Sequence, residues 1–336
     1  MSGGGAAIGG VAVRVEGISK RFGNHVAVDR VGFTVPTGCI YGVLGPNGAG
    51  KSTTLRMLND IIAPDEGTIE LLGGLKPGRE AAPHVGFLPE ERGLYPKMRV
   101  QEMVAFMGEL RGLTGRDARA RAGRWLERLG LAQWRTNKVQ DLSKGMQQKV
   151  QFAAALIHEP ELVILDEPWS GLDPINADVL RDVVREQQAA GHTVLFSTHL
   201  MEQAEQICEH VFIIARGRMV LDGRLADVKR AAAADGRVAL GFADAADRGR
   251  ATPVLADRGL TRAPDPAAAP PADGALDVEV TLAAGVDSQR LLTALVGAGV
   301  GLRRFERVIP TLHQIFVDRV GRHEAEVAAR REEGAA

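Results

Sequence analysis

The stretch Gly45-Pro46-Asn47-Gly48-Ala49-Gly50-Lys51-Ser52-Thr53 decides how this chain folds. It fits the phosphate-loop pattern G-x-x-x-x-G-K-[ST], with Gly45, Gly50, Lys51 and Ser52 on the fixed positions. Just before it, residues 39–44 form a short apolar run that reads as a buried strand. Just after it, Thr54-Leu-Arg-Met-Leu58 reads as the first turns of a helix. Glycines let the backbone turn tightly, so that several N–H groups and the helix N-terminus face one anion. Lys51 is then expected against the β- and γ-phosphates of a nucleoside triphosphate, with the Ser52 hydroxyl on Mg²⁺.

Working outward, the 336 residues suffice for two domains. A hydrophobic fraction of 45% and a charged fraction of 25% are ordinary for a globular protein. The net charge of −1 gives no global argument for nucleic acid or an anionic membrane surface. Cys39 and Cys208, the only cysteines, read as small apolar core residues rather than a disulfide or metal framework. Residues 1–10 lack the basic and apolar regions of a signal peptide and read as a disordered tail. No apolar run approaches the length of a membrane span. The chain is therefore expected in the cytoplasm, with any membrane role coming through a partner.

Strands are expected at 11–15, 26–35, 39–44, 67–72 and 85–88, with residues 18–23 leading into a turn. This is a β-rich edge beside a nucleotide-binding core. From Glu90 to about Gln151 the pattern turns helical: 100–113, with Met103, Phe106, Met107 and Leu110 on one face, then 117–129, then a helix from Gly145 that stops before Pro160. The core resumes with strands at 161–165, 193–197, 210–215 and 218–221 and helices at 175–188 and 200–208. That alternation implies a mostly parallel sheet covered on both faces. Residues 224–320 read as a small α+β domain, with helices at 225–234, 287–296 and 310–320 and strands at 237–242, 276–282 and 301–308. The Pro/Ala-rich stretch 263–274 reads as a disordered loop, and 321–336 as a charged tail.

Two further constellations narrow the chemistry. Leu162-Val-Ile-Leu-Asp166 puts a carboxylate at the C-terminal end of a buried strand, where ligands sit in an open parallel sheet. Asp166 is suited to Mg²⁺, and Glu167 beside it to orienting an attacking water. Ser143 and the N–H groups after it open a helix and offer a second anion site.

Taken in order, these segments resemble the ATP-binding subunit of an ABC transporter over residues 11–223. Gly45 to Thr53 matches the Walker A loop, Leu142-Ser-Lys-Gly-Met146 the signature, and Leu162 to Glu167 the Walker B strand. Ser170-Gly-Leu-Asp173 resembles the D-loop and Thr198-His199 the switch histidine. The resemblance implies a P-loop NTPase core of ABC type, with an antiparallel β edge and a helical subdomain inserted at about 90–151. It also implies ATP and Mg²⁺ as cofactors. Two copies would pair head to tail, each ATP touching Lys51 of one and Ser143 of the other, with Gly145 and Asp173 also among the ATP-binding residues. His199 is then expected on the γ-phosphate and Phe22 on adenine.

The chain departs from the pattern at Lys144 and Met146 of the signature. It departs again at Glu90, which stands where the family has a Mg²⁺-sensing glutamine. With Ser52 and Asp166, Glu90 completes the expected metal set. Residues 87–96 and 305–316, with the extra domain, resemble ATP-binding subunits of sodium-extrusion and drug-export systems. A separate integral-membrane permease is the implied partner, holding the chain at the inner face of the membrane, and no nucleic acid is expected. The alternative is a member of the family acting on ribosomes or nucleic acid. It is disfavoured because the chain has one cassette and no heptad array.

Overall fold

The computed structural model describes residues 10–91, 93–233, 236–262 and 276–320. The tail at 1–9, the loop at 263–274 and the segment 321–336 lie outside the described residues. The chain divides into two compact units, one formed by residues up to Leu225 and the other by Ala226–Asp318.

In the first unit, β1 (Val11–Phe22) pairs antiparallel with β2 (His25–Pro36) and with β4 (Glu66–Leu71), in the order β2-β1-β4. The strand expected at 11–15 runs on to Phe22, and the chain turns at Gly23, where residues 18–23 were expected to lead. A second, six-stranded sheet contains β3 (Ile40–Leu44), β5 (Val85–Leu88), β6 (Leu162–Asp166), β7 (Thr193–Thr198), β8 (His210–Ala215) and β9 (Arg218–Arg224). Its order is β5-β6-β7-β3-β8-β9, parallel except for the hairpin strand β9. Every residue of β3 and β6 is buried, which explains their unbroken apolar runs.

The helix α1 (Lys51–Leu58) shares one core with both sheets. Leu55 and Leu58 meet Val13 and Phe33 from the antiparallel sheet and Tyr41, Ile164, Leu195 and Phe212 from the other. The Phe33 and Phe212 rings lie 4.7 Å apart.

Three helices, α2 (Val100–Leu110), α3 (Gly115–Arg128) and α4 (Lys144–Leu156), form the inserted layer. Thr114 caps α3 by accepting the Asp117 N–H. The buried stripe of α2 is Val100, Met103, Val104 and Gly108, not the face through Leu110. Leu110 is 63% exposed. Counting 3.6 residues per turn from Val100 places Phe106 and Leu110 at the edge of that stripe. The core side then continues with α5 (Pro174–Ala189) and α6 (Met201–Ile207).

The second unit begins in α7 (Leu225–Ala233). Its antiparallel sheet of β10 (Arg237–Phe242), β11 (Asp277–Thr281) and β12 (Leu302–Arg307) has the order β11-β10-β12. Val238, Leu240 and Phe242 pack with Ala251 of α8 (Ala245–Ala256) and Leu291 and Leu295 of α9 (Ser288–Gly297). The helix α8 has no counterpart in the sequence reading: Pro253 inside it removes a backbone donor and masks the periodicity. Asp247 anchors it by accepting the Gly301 N–H at 2.6 Å. Residues 312–320 are helical.

Candidate functional site

Because β6, β7 and β3 are parallel neighbours, their C-terminal ends bring three distant segments together: Asp166-Glu167, Thr198-His199 and the loop after Leu44. The loop is shaped by close backbone approach. A Cβ on Gly45 would stand 2.2 Å from the Ile214 carbonyl oxygen, and one on Gly50, whose φ is +109°, 2.5 Å from that of Ala27. Gly50 feeds directly into α1, with Thr54 N–H bonded to its carbonyl at 2.9 Å. Pro46, Asn47 and Gly48 form the exposed tip, and Ala49 is buried below it.

Lys51 is only 5% exposed. Its Nζ donates to the carbonyls of Gly45 at 2.9 Å and Pro46 at 3.1 Å, and lies 3.5 Å from Glu167 Oε1. Glu167 is equally buried, and His199 Nδ1 stands 3.0 Å from the same Oε1. Ser52 Oγ donates to Asp166 Oδ1 at 3.1 Å. Burial pushes the Asp166 carboxyl above its ordinary range, against the opposing hydrogen bonds of Ser197 and Ser52. The backbone of Glu167 has φ +46°, a left-handed conformation unusual for a non-glycine residue.

What holds that conformation is Ser197, which sequence reasoning did not single out. Its hydroxyl donates to Asp166 Oδ1 at 2.5 Å and accepts the Glu167 N–H at 3.0 Å. Asp166 and Ser197 are register partners across β6 and β7. The available signal was a polar residue, fully buried here, closing the apolar run Val194-Leu195-Phe196.

A cleft of about 350 Å³ opens over this cluster, lined by Phe22, Asn47, Lys51, Ser52, Glu90 and Glu167 among others. Thr53 is on its wall, Phe22 is 50% exposed at its edge, and Glu90 is exposed. Gln151 of α4 holds the strand end before Glu90 by donating to the carbonyls of Pro89 and Glu91. Gln148, one helical turn away, donates to the Pro168 carbonyl behind Glu167. The helix α4 thus grips both flanks of the cleft.

Ser143, Gly145 and Asp173 do not line that cleft. Ser143 is exposed at the N-terminus of α4 and accepts the Met146 N–H at 3.3 Å. Gly145 faces Leu172 and Asn176. Asp173 caps α5 by accepting the Asn176 N–H at 3.0 Å, which holds its carboxyl below the usual range. The exposed N-terminus of α4 thus lies apart from the Lys51 cleft.

Similarity to known proteins agrees with this geometry. A family model described as "ABC transporter" matches residues 28–170, and one described as "ATP-binding protein DrrA1-3-like, C-terminal domain" matches residues 223–320. The chain is 37% identical over 308 residues to the uncharacterized ABC transporter ATP-binding protein YhaQ of Bacillus subtilis (strain 168), covering 91% of this chain and 98% of that one. It is 39% identical over 212 residues to Nod factor export ATP-binding protein I of Ralstonia nicotianae, covering 62% of this chain and 66% of that one. The solved "Structure of ATP binding subunit of ABC transporter" matches with a TM-score of 0.61 and 30% identity, over 66% of this chain and 92% of that one. Fold, cleft and similarity together define an ATP-hydrolysing, nucleotide-binding cassette. The chain belongs to the family of ABC transporter ATP-binding proteins, with a DrrA-like domain following its cassette.

Proposed function

We propose that the cleft around Lys51 binds and hydrolyses Mg²⁺-ATP within a head-to-tail pair of two copies, and that this cycle powers an exporter in the membrane. The observation that carries the reading is the convergence of Lys51, Ser52, Asp166, Glu167 and His199 at three adjacent strand ends. The loop amides and Lys51 bind the phosphates, and Phe22 stacks on the base. The ammonium gives up its loop carbonyls for the β- and γ-phosphates, whose charge it matches.

Mg²⁺ fits the residues present. The Ser52 hydroxyl and Asp166 carboxylate offer hard oxygen donors side by side, and Glu90 faces the same cleft. No cluster of three or more His, Cys, Asp or Glu suited to a metal occurs among the described residues, so phosphate and water would supply the remaining positions on the ion. When bound, the ion neutralises charge on the transferring phosphoryl group. Glu167 polarises the attacking water, with its backbone fixed by Ser197 and its carboxylate by His199. His199 and Lys51 stabilise the charge that develops on the γ-phosphoryl group.

The placement of Ser143 and Gly145 off the cleft, at an exposed helix N-terminus, supports pairing. There they supply N–H groups to the γ-phosphate held by the other copy, with Asp173 beside them. ATP binding then closes the pair and hydrolysis opens it. The α2–α4 layer, tied to the cleft through Gln148 and Gln151, passes that motion to a permease. No helix among the described residues is long and apolar enough to cross a membrane. In this reading the chain works at the cytoplasmic face through its partner. Export is supported by the named relative and by the C-terminal domain.

The direct test is steady-state turnover. Glu167→Gln is expected to lower kcat by about 10²–10⁴-fold while ATP binding is retained. An unchanged kcat would overturn the assignment.

A further inference from the structure

The near-zero net charge of the chain hides a strong local imbalance. Residues 97–138 carry ten Lys or Arg against four Asp or Glu, in a protein whose total is −1. Some of these cations are engaged in ion pairs: Arg121 with Glu159 and Arg128 with Glu186. Five others, Arg99, Arg116, Arg119, Arg135 and Lys138, are exposed, and no ion pair to any of them occurs among the described residues.

The fold gathers these five around one residue. Arg99 and Lys138 are partners in an antiparallel bridge where the start of α2 meets the segment before α4. The Gln101 N–H donates to the Arg135 carbonyl at 3.1 Å, and its Nε2 donates to the Arg119 carbonyl at 3.2 Å. Gln101 also lines a shallow surface depression with Arg116 and Arg119. Three separate elements thus bring these five cations near one another, with the exposed Glu102 and Asp117 on the same elements too few to balance them.

We propose that this face adsorbs to the anionic headgroups of the membrane in which the transporter sits. Such adsorption rests on the chain's membership of a transporter family and does not require the nucleotide chemistry. Charge complementarity selects an anionic surface. No large apolar side chain lines the depression, its lining being Gln, Gly, Ala and Arg, whereas a protein partner ordinarily needs a desolvated core of large apolar anchors with few charges. Long flexible cations spread over three elements suit the diffuse field of a lipid leaflet. Trp134, partly buried in the turn just before Arg135, adds a side chain that favours the headgroup level of a bilayer. The face would orient the cassette on the leaflet before or while its permease docks.

The test is co-sedimentation of the full-length, nucleotide-free chain with vesicles of phosphatidylcholine alone or containing about 30% phosphatidylglycerol, the anionic lipid supplying the surface potential. Binding is expected only to the anionic vesicles, weakening as salt rises. Replacing three of the five by Arg116→Gln, Arg119→Gln and Lys138→Gln should lower partitioning on the order of a hundredfold, from roughly fivefold per cation. The matched triple Arg79→Gln, Arg258→Gln and Arg290→Gln, at exposed cations elsewhere, should leave it unchanged. ATP turnover of both triples in solution serves as the folding control. Failure of the nucleotide assignment would show in turnover and leave adsorption untouched. Equal binding to neutral vesicles, or undiminished binding by the first triple, overturns the proposal. So does a basic face that ignores vesicles but is needed to capture the detergent-solubilised permease, an outcome that would assign it to an acidic protein surface.

Discussion

At the scale of single residues, one hydroxyl organises the two acidic groups of the cleft. Ser197 Oγ donates its proton to Asp166 and accepts the Glu167 N–H, so the Asp166 carboxylate and the Glu167 backbone are tied to one side chain. Ser197→Ala leaves that buried N–H without its partner, and a loss of about 1–3 kcal/mol in stability is expected. Because Glu167 then relaxes from φ +46°, turnover should fall on the order of 10–100-fold while ATP affinity changes little. Unfolding curves and kcat measured side by side check this, and a variant that loses stability but keeps its kcat would contradict it. Lys51, Ser52, Asp166, Glu167 and His199 were legible in the sequence because each belongs to a short local pattern whose chemistry dictates its spacing. Ser197 was not, because its role depends on the register of β7 against β6, which no local pattern encodes.

At the scale of elements, α4 connects more of the molecule than its sequence suggests. Its N-terminus carries Ser143, its middle holds both flanks of the cleft, and just past its end His158 bonds to the Val85 carbonyl of β5. Burial, then the nearby charge of Arg111, with Arg121 and His84 adding to it, pushes the His158 pKa down from an ordinary 6.5 to about 4. Between those values the unfolded chain binds a proton that the folded chain refuses. Stability from a neutral His158 is therefore full above about pH 6.5 and declines as pH falls toward 4. Melting temperatures of the wild type and of His158→Gln, measured from pH 7 down to pH 5, should show a shallower decline in the variant. Parallel curves would mean that another group carries the acid sensitivity. The strands and most helices of this unit were legible because apolar runs and caps are local signals. The true buried stripe of α2 was not, since Met103 is core while Leu110 faces solvent only because of how α2 packs on its neighbours.

At the scale of the whole molecule, the cassette and the following domain were separable in sequence by a change of pattern near Arg224, close to the division after Leu225. The α8 helix in the second unit escaped notice because Pro253 argues locally against it, while the packing of Ala251 and the Asp247 anchor decide for it. The central claim is that the two phosphate-suited places of one chain, at Lys51 and at Ser143, act on one nucleotide only across two copies. The mass of Glu167→Gln in solution, with and without Mg²⁺-ATP, tests it most directly. The account predicts a monomer without nucleotide and a dimer with it, and a return to monomer when Ser143→Arg is added to block the second phosphate contact. A mass that ATP does not change, or a dimer indifferent to Ser143→Arg, would contradict it.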